Sequence, residues 1–377
     1  MLDDIDIPTL SARPGIKWAQ ADGAIPAWIA DMDFPIPDPV RDVIVEAART
    51  DLGYPAWEAD PRDNPLVGAY VARTARLYGH TPDPAGVRLF TEVIQALQAI
   101  LYVATEAGDT VAVHTPSYPP FLETIERMGR RLLPIPMVDG RTFDADRMDV
   151  DLRHHRCRIL ILVNPQNPTG RVFTRSELTT IAELAERHHM IVIADEIHAD
   201  LTYAPHRFLP FAPFAPDRTV TLTSASKAFN LAGLRCAVAD VAAPTVRRAL
   251  DMLPPLLLGQ PGSLGLLGTL AAWEHGDPWL AEVLALLERN RRMLMAALPG
   301  RLHEPEGTYL SWLDLRDLGP DPAARIRDEA RVLLSPGPQF GPGGEGFARL
   351  NFATSRPVME EILSRLTKFI SEQTITN

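Results

Sequence analysis

Four short runs in the middle of the chain are rich in apolar or β-branched residues and read as strands: "GDTVAVHTP" (108–116), "RILILVNPQNPTG" up to its turn (158–170), "MIVIADEI" (190–197) and "TVTLTS" (219–224). A strand with one wet face alternates apolar and polar residues. Unbroken apolar runs suit strands covered on both faces, as in a parallel sheet. Between the second and third runs, "TRSELTTIAELAERHH" sets Leu178, Ile181, Leu184 and Ala185 on one helical face, and Thr174 with Glu177 forms a capping box. The segment "EVIQALQAILYVATEAG" (92–108) predicts another helix. Strand, helix and strand in this order imply an α/β domain with right-handed crossovers.

The C-terminal third has a different pattern. A long amphipathic helix is predicted over 277–300, followed by three short strand candidates broken by Gly and Pro: "GTYLSWLDL", "RVLLSPG" and "GFARLNFAT". A surface helix, "RPVMEEILSRLTKFISEQ", comes last. The change predicts a large α/β domain over 45–275 and a smaller α+β domain made of 1–44 and 276–377. The Pro- and Gly-rich stretches "FLPFAPFAPD" and "FGPGGEG" read as surface loops, and no internal repeat is present.

Composition narrows the function classes. The net charge of −11 disfavours a nucleic-acid surface. No apolar run approaches the roughly 18 residues that span a bilayer. The acidic start "MLDDIDIPTL" has no basic region followed by an apolar run, so no secretory leader is expected. Cys157 and Cys236 are the only cysteines and lie far apart in sequence, so the expected setting is the reducing cytoplasm. The pairs His154–His155 and His188–His189 lack ligand spacing and read as solvated surface; no metal site is expected. No G-x-G-x-x-G follows an early strand, which argues against a nicotinamide dehydrogenase.

Ligands of open α/β sheets bind beyond the carboxyl ends of the strands. Listing those ends gathers Tyr118, then Asn164 and Asn167, then Asp195, Glu196 and His198, then Ser224, Ser226 and Lys227. Each has an ordinary structural role open to it: a strand-end Asp often caps a helix, and a strand-end Tyr often packs. The lysine is the least ordinary. The chain has only Lys17, Lys227 and Lys368, and every other basic side chain apart from histidine is arginine. A lysine among small residues loses its charge by burial and attacks carbonyls. The carbonyl cofactor that uses such a lysine is pyridoxal phosphate, which also needs a carboxylate at its ring nitrogen and a cup for its phosphate. Ser224, Ser226, Arg235 and the free amides opening the helix at Glu92, Val93 and Ile94 are candidates for that cup.

Taken together, "SASKAFNLAGLR", "NPQNPTG", "ADEIHAD" and "HTPSY" resemble fold-type I pyridoxal-phosphate enzymes of the aminotransferase class I/II superfamily. "AWIADMDFPIPDPV", "LGYPAW", "DEIHADL" and "GTYLSWLDLR" resemble more narrowly the MalY/PatB-type cystathionine β-lyases, also called C–S lyases. The resemblance runs from about Trp18 to Arg356. It implies a mostly parallel seven-stranded sheet flanked by helices, with a smaller α+β domain. It implies Lys227 as the lysine that bonds the cofactor aldehyde, Asp195 at the ring nitrogen and Asn167 at the ring oxygen. His198 would lie by the ring, with plain packing as its alternative. Tyr118 would stack on the ring and Arg349 would grip the substrate α-carboxylate, with a structural ion pair as the alternative for Arg349. Tyr54 would reach the phosphate of a neighbouring subunit, which implies a homodimer with shared sites.

Two features depart from the lyase pattern. Arg235, eight residues after the lysine, is usual in aminotransferases and often missing from lyases, and a non-ligand role stays open for it. "LLLGQPGSLG" (256–265) is richer in Gly and Pro than the family stretch. The expected reaction is β-elimination from cystathionine or another S-substituted cysteine, giving thiol, pyruvate and ammonia. The alternatives are transamination, and a secondary-metabolism lyase or oxidative decarboxylase acting on a bulky cysteine conjugate. A regulatory role through protein contacts would not need both Lys227 and Asp195.

Overall fold

Strands whose side chains are buried on both faces need helices on both sides, and the architecture supplies them. The computed structural model describes residues 2–55, 61–138, 140–254, 257–319 and 321–376. In chain order the strands are β1 (Ile25–Pro26), β2 (Val87–Phe90), β3 (Thr110–Thr115), β4 (Arg131–Val138), β5 (Thr142–Phe143), β6 (Ile159–Val163), β7 (Ile191–Asp195), β8 (Thr219–Thr223), β9 (Ala237–Val241), β10 (Leu310–Asp314), β11 (Val332–Leu333), β12 (Ser335–Pro336) and β13 (Phe347–Asn351).

The central sheet has the order β2-β9-β8-β7-β6-β3-β4-β5. The pairs β4–β3, β3–β6, β6–β7 and β7–β8 are parallel, whereas β9 runs antiparallel to both its neighbours. Eight strands stand where seven were expected. The additional one, β5, is two residues long and folds back antiparallel on the end of β4. All six residues of β3 and all five of β6 are buried. This explains why neither run alternates.

The helix Arg175–Arg187 opens on the expected Thr174–Glu177 capping box and buries Leu178, Ile181, Leu184 and Ala185. The segment at 92–108 forms the helix Val93–Ala104. The long helix is Asp277–Ala297, and the last helix, Arg356–Thr376, buries Val358, Met359, Ile362, Leu363, Leu366 and Phe369 along one side. The three C-terminal strand candidates give a sheet of order β10-β13-β12, with β11 of the second candidate pairing instead with β1 near the amino end.

Two surface expectations need correction. "FLPFAPFAPD" buries Phe208, Phe211 and Ala212, because Phe211 N donates to the carboxylate of buried Glu196 at 2.8 Å. His188 is not free in solvent: its Nε2 lies 2.6 Å from the Asp149 carboxylate.

The N-terminal segment 28–34 is strapped across the junction of the two sheets by side chains that bond its backbone. Arg349 and Ser335 donate to Trp28 O at 2.7 and 3.0 Å, and Asn351 donates to Ile29 O and Asp31 O at 2.5 and 2.7 Å. Asn230 accepts from Met32 N at 3.1 Å and donates to Met32 O at 3.1 Å and Phe34 O at 2.8 Å. Asn230 itself sits at φ +59°, where Asn is tolerated far better than Ala. Replacing it with Ala strands three backbone groups beside the buried Met32 and Phe34. We expect Asn230→Ala to lower stability by about 2–4 kcal/mol in urea unfolding and to speed hydrogen exchange of the Met32 amide.

Candidate functional site

Four neighbouring parallel strands, β3, β6, β7 and β8, end on one rim of the sheet, so residues distant in sequence meet there. A cleft opens at that rim, lined by Val93, Ile94, Tyr118, Asn167, Asp195, His198, Ser224, Ser226, Lys227 and Arg235 among others. Arg349 reaches the same place from β13, since its Nη1 donates to Asn167 Oδ1 at 3.0 Å. Tyr54 does not line this cleft; it is 99% exposed and lines a separate groove with Val43, Leu266 and Leu270. In "LGYPAW", Ala56 and Trp57 lie outside the described residues, as does Leu256 of "LLLGQPGSLG".

Asp195 closes β7 and is buried. Its Oδ1 accepts from Ile197 N at 3.2 Å, and among the described residues no cation forms an ion pair with it. Burial pushes its carboxyl up to about 7, against the smaller opposing pull of that amide and of the Lys227 charge. Lys227 shows the converse. Its Nζ donates to Ala30 O at 2.8 Å, and burial lowers its pKa even though the Asp31 carboxylate acts the other way.

Arg349 is buried and, among the described residues, bonded only to neutral acceptors: Asn167 Oδ1, Trp28 O and, at 3.3 Å, Ser335 Oγ. Its Nε has no partner among the described residues, its guanidinium lies 5.0 Å over the Phe340 ring, and burial lowers its pKa to about 10. His198 is held neutral by burial, with its pKa lowered to about 3, and its buried Nδ1 has no partner among the described residues. The ring meets Tyr309 edge-on at 6.0 Å. Tyr118 caps the helix Pro119–Arg127 and packs edge-on against Phe121, and burial raises its phenol pKa.

The amide end of the helix Val93–Ala104 and the hydroxyl of Ser226 also line the cleft. The amides of Val93 and Ile94 open the helix Val93–Ala104, where an anion is favoured. No hydrogen bond of the Ser226 hydroxyl is seen among the described residues. Ser224 bonds within its own turn. Its hydroxyl donates to Cys236 O at 2.6 Å and accepts from Ser226 N at 3.0 Å, so its proton shapes the turn and does not face the cleft. Arg235, in the left-handed region at φ 53°, forms an ion pair with Glu92.

The residues missed from sequence are mainly the backbone donors and acceptors of the strap. Ala30 O accepts from Lys227 and, at 2.7 Å, from the buried Tyr309 hydroxyl. A carbonyl carries no residue-type signal, although the segment that holds it, "AWIADMDF", stood out as a motif.

Pyridoxal phosphate fits these unmet groups. Among the described residues Asp195 pairs with no cation and Arg349 with no carboxylate, and the Lys227 amine shares their cleft with the amide end of the helix Val93–Ala104. A ring with a protonated nitrogen, an aldehyde and a phosphate would engage Asp195, Lys227 and the amides; the carboxylate of an amino acid would engage Arg349.

A family model described as aminotransferase class I and II matches residues 40–366, and the chain belongs to that family. Within the family its likeness is to C–S lyases. It is 33% identical to cystathionine β-lyase PatB of Bacillus subtilis, over 92% of this chain and 93% of that one. It is 31% identical to protein MalY of Escherichia coli, over 92% and 91%. The fold matches that of the PLP-bound C–S lyase of Staphylococcus hominis with a TM-score of 0.90 and 26% identity, over 99% of each chain.

The raised Asp195 pKa has a consequence for the cofactor-free protein. Its folded value, about 7, exceeds the ordinary 3.8, so between these values the native state binds more protons than the unfolded state. That contribution to stability is present below the ordinary value and is lost as pH rises towards 7. We expect Asp195→Asn, which mimics the protonated carboxyl, to flatten this slope and to be more stable than the wild type at pH 8. Urea unfolding at pH 5 and pH 8 checks it; a variant less stable at pH 8 speaks against an uncompensated carboxylate.

Proposed function

We propose that the protein is a pyridoxal-phosphate-dependent C–S β-lyase that cleaves cystathionine or another S-substituted L-cysteine to thiol, pyruvate and ammonia. The observation that carries this reading is the meeting of Asp195, Lys227 and Arg349 around one cleft, none of them in an ion pair among the described residues. The likeness to named cystathionine β-lyases over nearly the whole chain supports the same reaction.

Bound there, pyridoxal phosphate supplies an aldehyde that condenses with amines and a ring that withdraws electrons from the substrate Cα. In this reading Lys227 Nζ is the covalent anchor and then the base that takes the substrate α-proton; its lowered pKa makes the neutral amine accessible. Asp195 holds a proton at the ring nitrogen. Asn167 donates to the ring oxygen while its own carbonyl keeps Arg349 in place. Arg349 binds the α-carboxylate and so fixes which bond at Cα faces Lys227. Tyr118 covers one face of the ring and neutral His198 packs beside it. Val93, Ile94, Ser226 and Arg235 receive the phosphate, with Ser224 shaping the turn beneath.

The same reading extends to assembly. We assign the protein to homodimers in which Tyr54 serves the neighbouring site. The support is a fully exposed ring beside exposed Leu52, at an apolar groove. Residues 45–275 are read as the cofactor domain and 1–44 with 276–377 as the smaller one, supported by the β1–β11 pairing of the two chain ends. A cytoplasmic setting is supported by Cys157 and Cys236, both buried and free.

Purified protein is expected to turn yellow with pyridoxal phosphate and to release thiol and pyruvate from cystathionine with no keto acid added. Lys227→Ala loses both properties. Keto-acid formation that strictly requires 2-oxoglutarate would replace this reading with transamination. Arg349→Lys keeps the charge but loses the planar fork, and we expect kcat/KM to fall about 100-fold, or about 2.7 kcal/mol.

A further inference from the structure

The amide end of the cleft contains a group that the proposed chemistry does not use. Glu92 lines the cleft, and its carboxylate pairs with the Arg235 guanidinium. It stands at the N-cap of the helix Val93–Ala104 yet makes no capping bond to that helix, so its charge is turned towards Arg235 and away from the amides. Acidic side chains near a helix N-terminus favour its free amides just as a phosphate would. Arg235, meanwhile, is constrained at its backbone while its side chain is about half exposed. It holds a left-handed backbone that non-glycine residues seldom adopt, and helix Ser263–His275 packs so closely that a Cβ on Gly265 would lie 2.5 Å from Leu234 O. The guanidinium stands at the cleft with a carboxylate already on it.

We propose that Glu92 is an affinity-limiting residue of the phosphate cup: its carboxylate occupies Arg235 until a phosphate displaces it. This rests on the cofactor reading above. A phosphate entering between the helix amides, Ser226 and Arg235 must break or share the Glu92–Arg235 pair, and it meets a second negative charge beside it. Both effects oppose the phosphate and leave the aldehyde end of the cofactor untouched. Glutamine at this position keeps the size and one acceptor oxygen while removing the charge, so it separates repulsion from orientation.

The test uses the full-length protein stripped of cofactor and titrated by visible absorbance and tryptophan fluorescence. Pyridoxal phosphate is compared with pyridoxal, which lacks the phosphate. Glu92→Gln is expected to bind pyridoxal phosphate about tenfold more tightly than wild type and pyridoxal within twofold of it. Inorganic phosphate alone should raise the melting temperature of the stripped variant more than that of stripped wild type. Arg235→Gln should weaken pyridoxal phosphate and spare pyridoxal. Equal or weaker pyridoxal-phosphate binding by a yellow Glu92→Gln protein would overturn the inference and leave the cofactor reading standing. A wild type that never yellows would overturn both.

Discussion

The structure depends on keeping opposite charges buried in one cleft without letting them neutralise each other. Asp195 and Arg349 would form a buried ion pair if they met, and a paired site would have no charge left for a ligand. Neutral acceptors prevent it. Arg349 is bonded to an amide, a hydroxyl and a main-chain carbonyl, and Lys227 to a main-chain carbonyl. Their hydrogen-bonding needs are partly met and their charges are not. Other buried cations of this chain are treated differently. Lys17 lies 2.9 Å from the Asp33 carboxylate, and Arg73 is held by both Asp200 and Asp277. The contrast separates the scaffold's cations from those of the site, because a buried charge without its counterpart is tolerated only where function requires it.

The fold makes such an arrangement affordable. Burying Asp195 and Lys227 opposes folding, and the continuous apolar strands behind them supply the compensating stability. Ile159, Leu160, Leu162, Val192 and Ile193 are fully buried in the strands that carry Asn167 and Asp195 to the rim. Because β6, β7 and β8 are parallel neighbours, their carboxyl ends deliver an amide, a carboxylate and an amine side by side, with no long loop to position them. The second sheet then needs to contribute only Arg349. It is locked by the register of β10 and β12 on either side of β13, where Arg349 faces Trp312 and Ser335.

The sequence carried the sheet and the rim because both depend on residue type. An unbroken run such as "ILILV" has few structural solutions, and Asp, Asn and Lys at the ends of such runs signal the shared edge. Antiparallel β9 and the two-residue β5 left no comparable trace: one reads as another small-residue stretch after "GLRC", and the other is too short to have a period. The hydrogen-bond partners of Ser224 were hidden for a related reason. A hydroxyl announces a donor but not its acceptor, and the carbonyl of Cys236 lies twelve residues away. The strap was hidden most completely. What matters at Ala30 and Trp28 is a carbonyl oxygen, which every residue possesses, and only folding places it beside Lys227 and Arg349.

That anonymous carbonyl also explains why Tyr309 is buried with its hydroxyl on Ala30 O. A carbonyl oxygen has two lone pairs, and Ala30 O gives one to Tyr309 and one to Lys227. If the lysine were its only donor, each turn of the amine towards a substrate would strand a buried acceptor, at a cost of about 1–3 kcal/mol. With Tyr309 in place the acceptor stays satisfied in either position of the lysine. Tyr309 is fixed in turn, being almost wholly buried in the core cluster that joins the strap to the C-terminal sheet. The lysine can therefore move while the wall behind it does not, which is what one amine needs if it is to serve first as an anchor and then as a base.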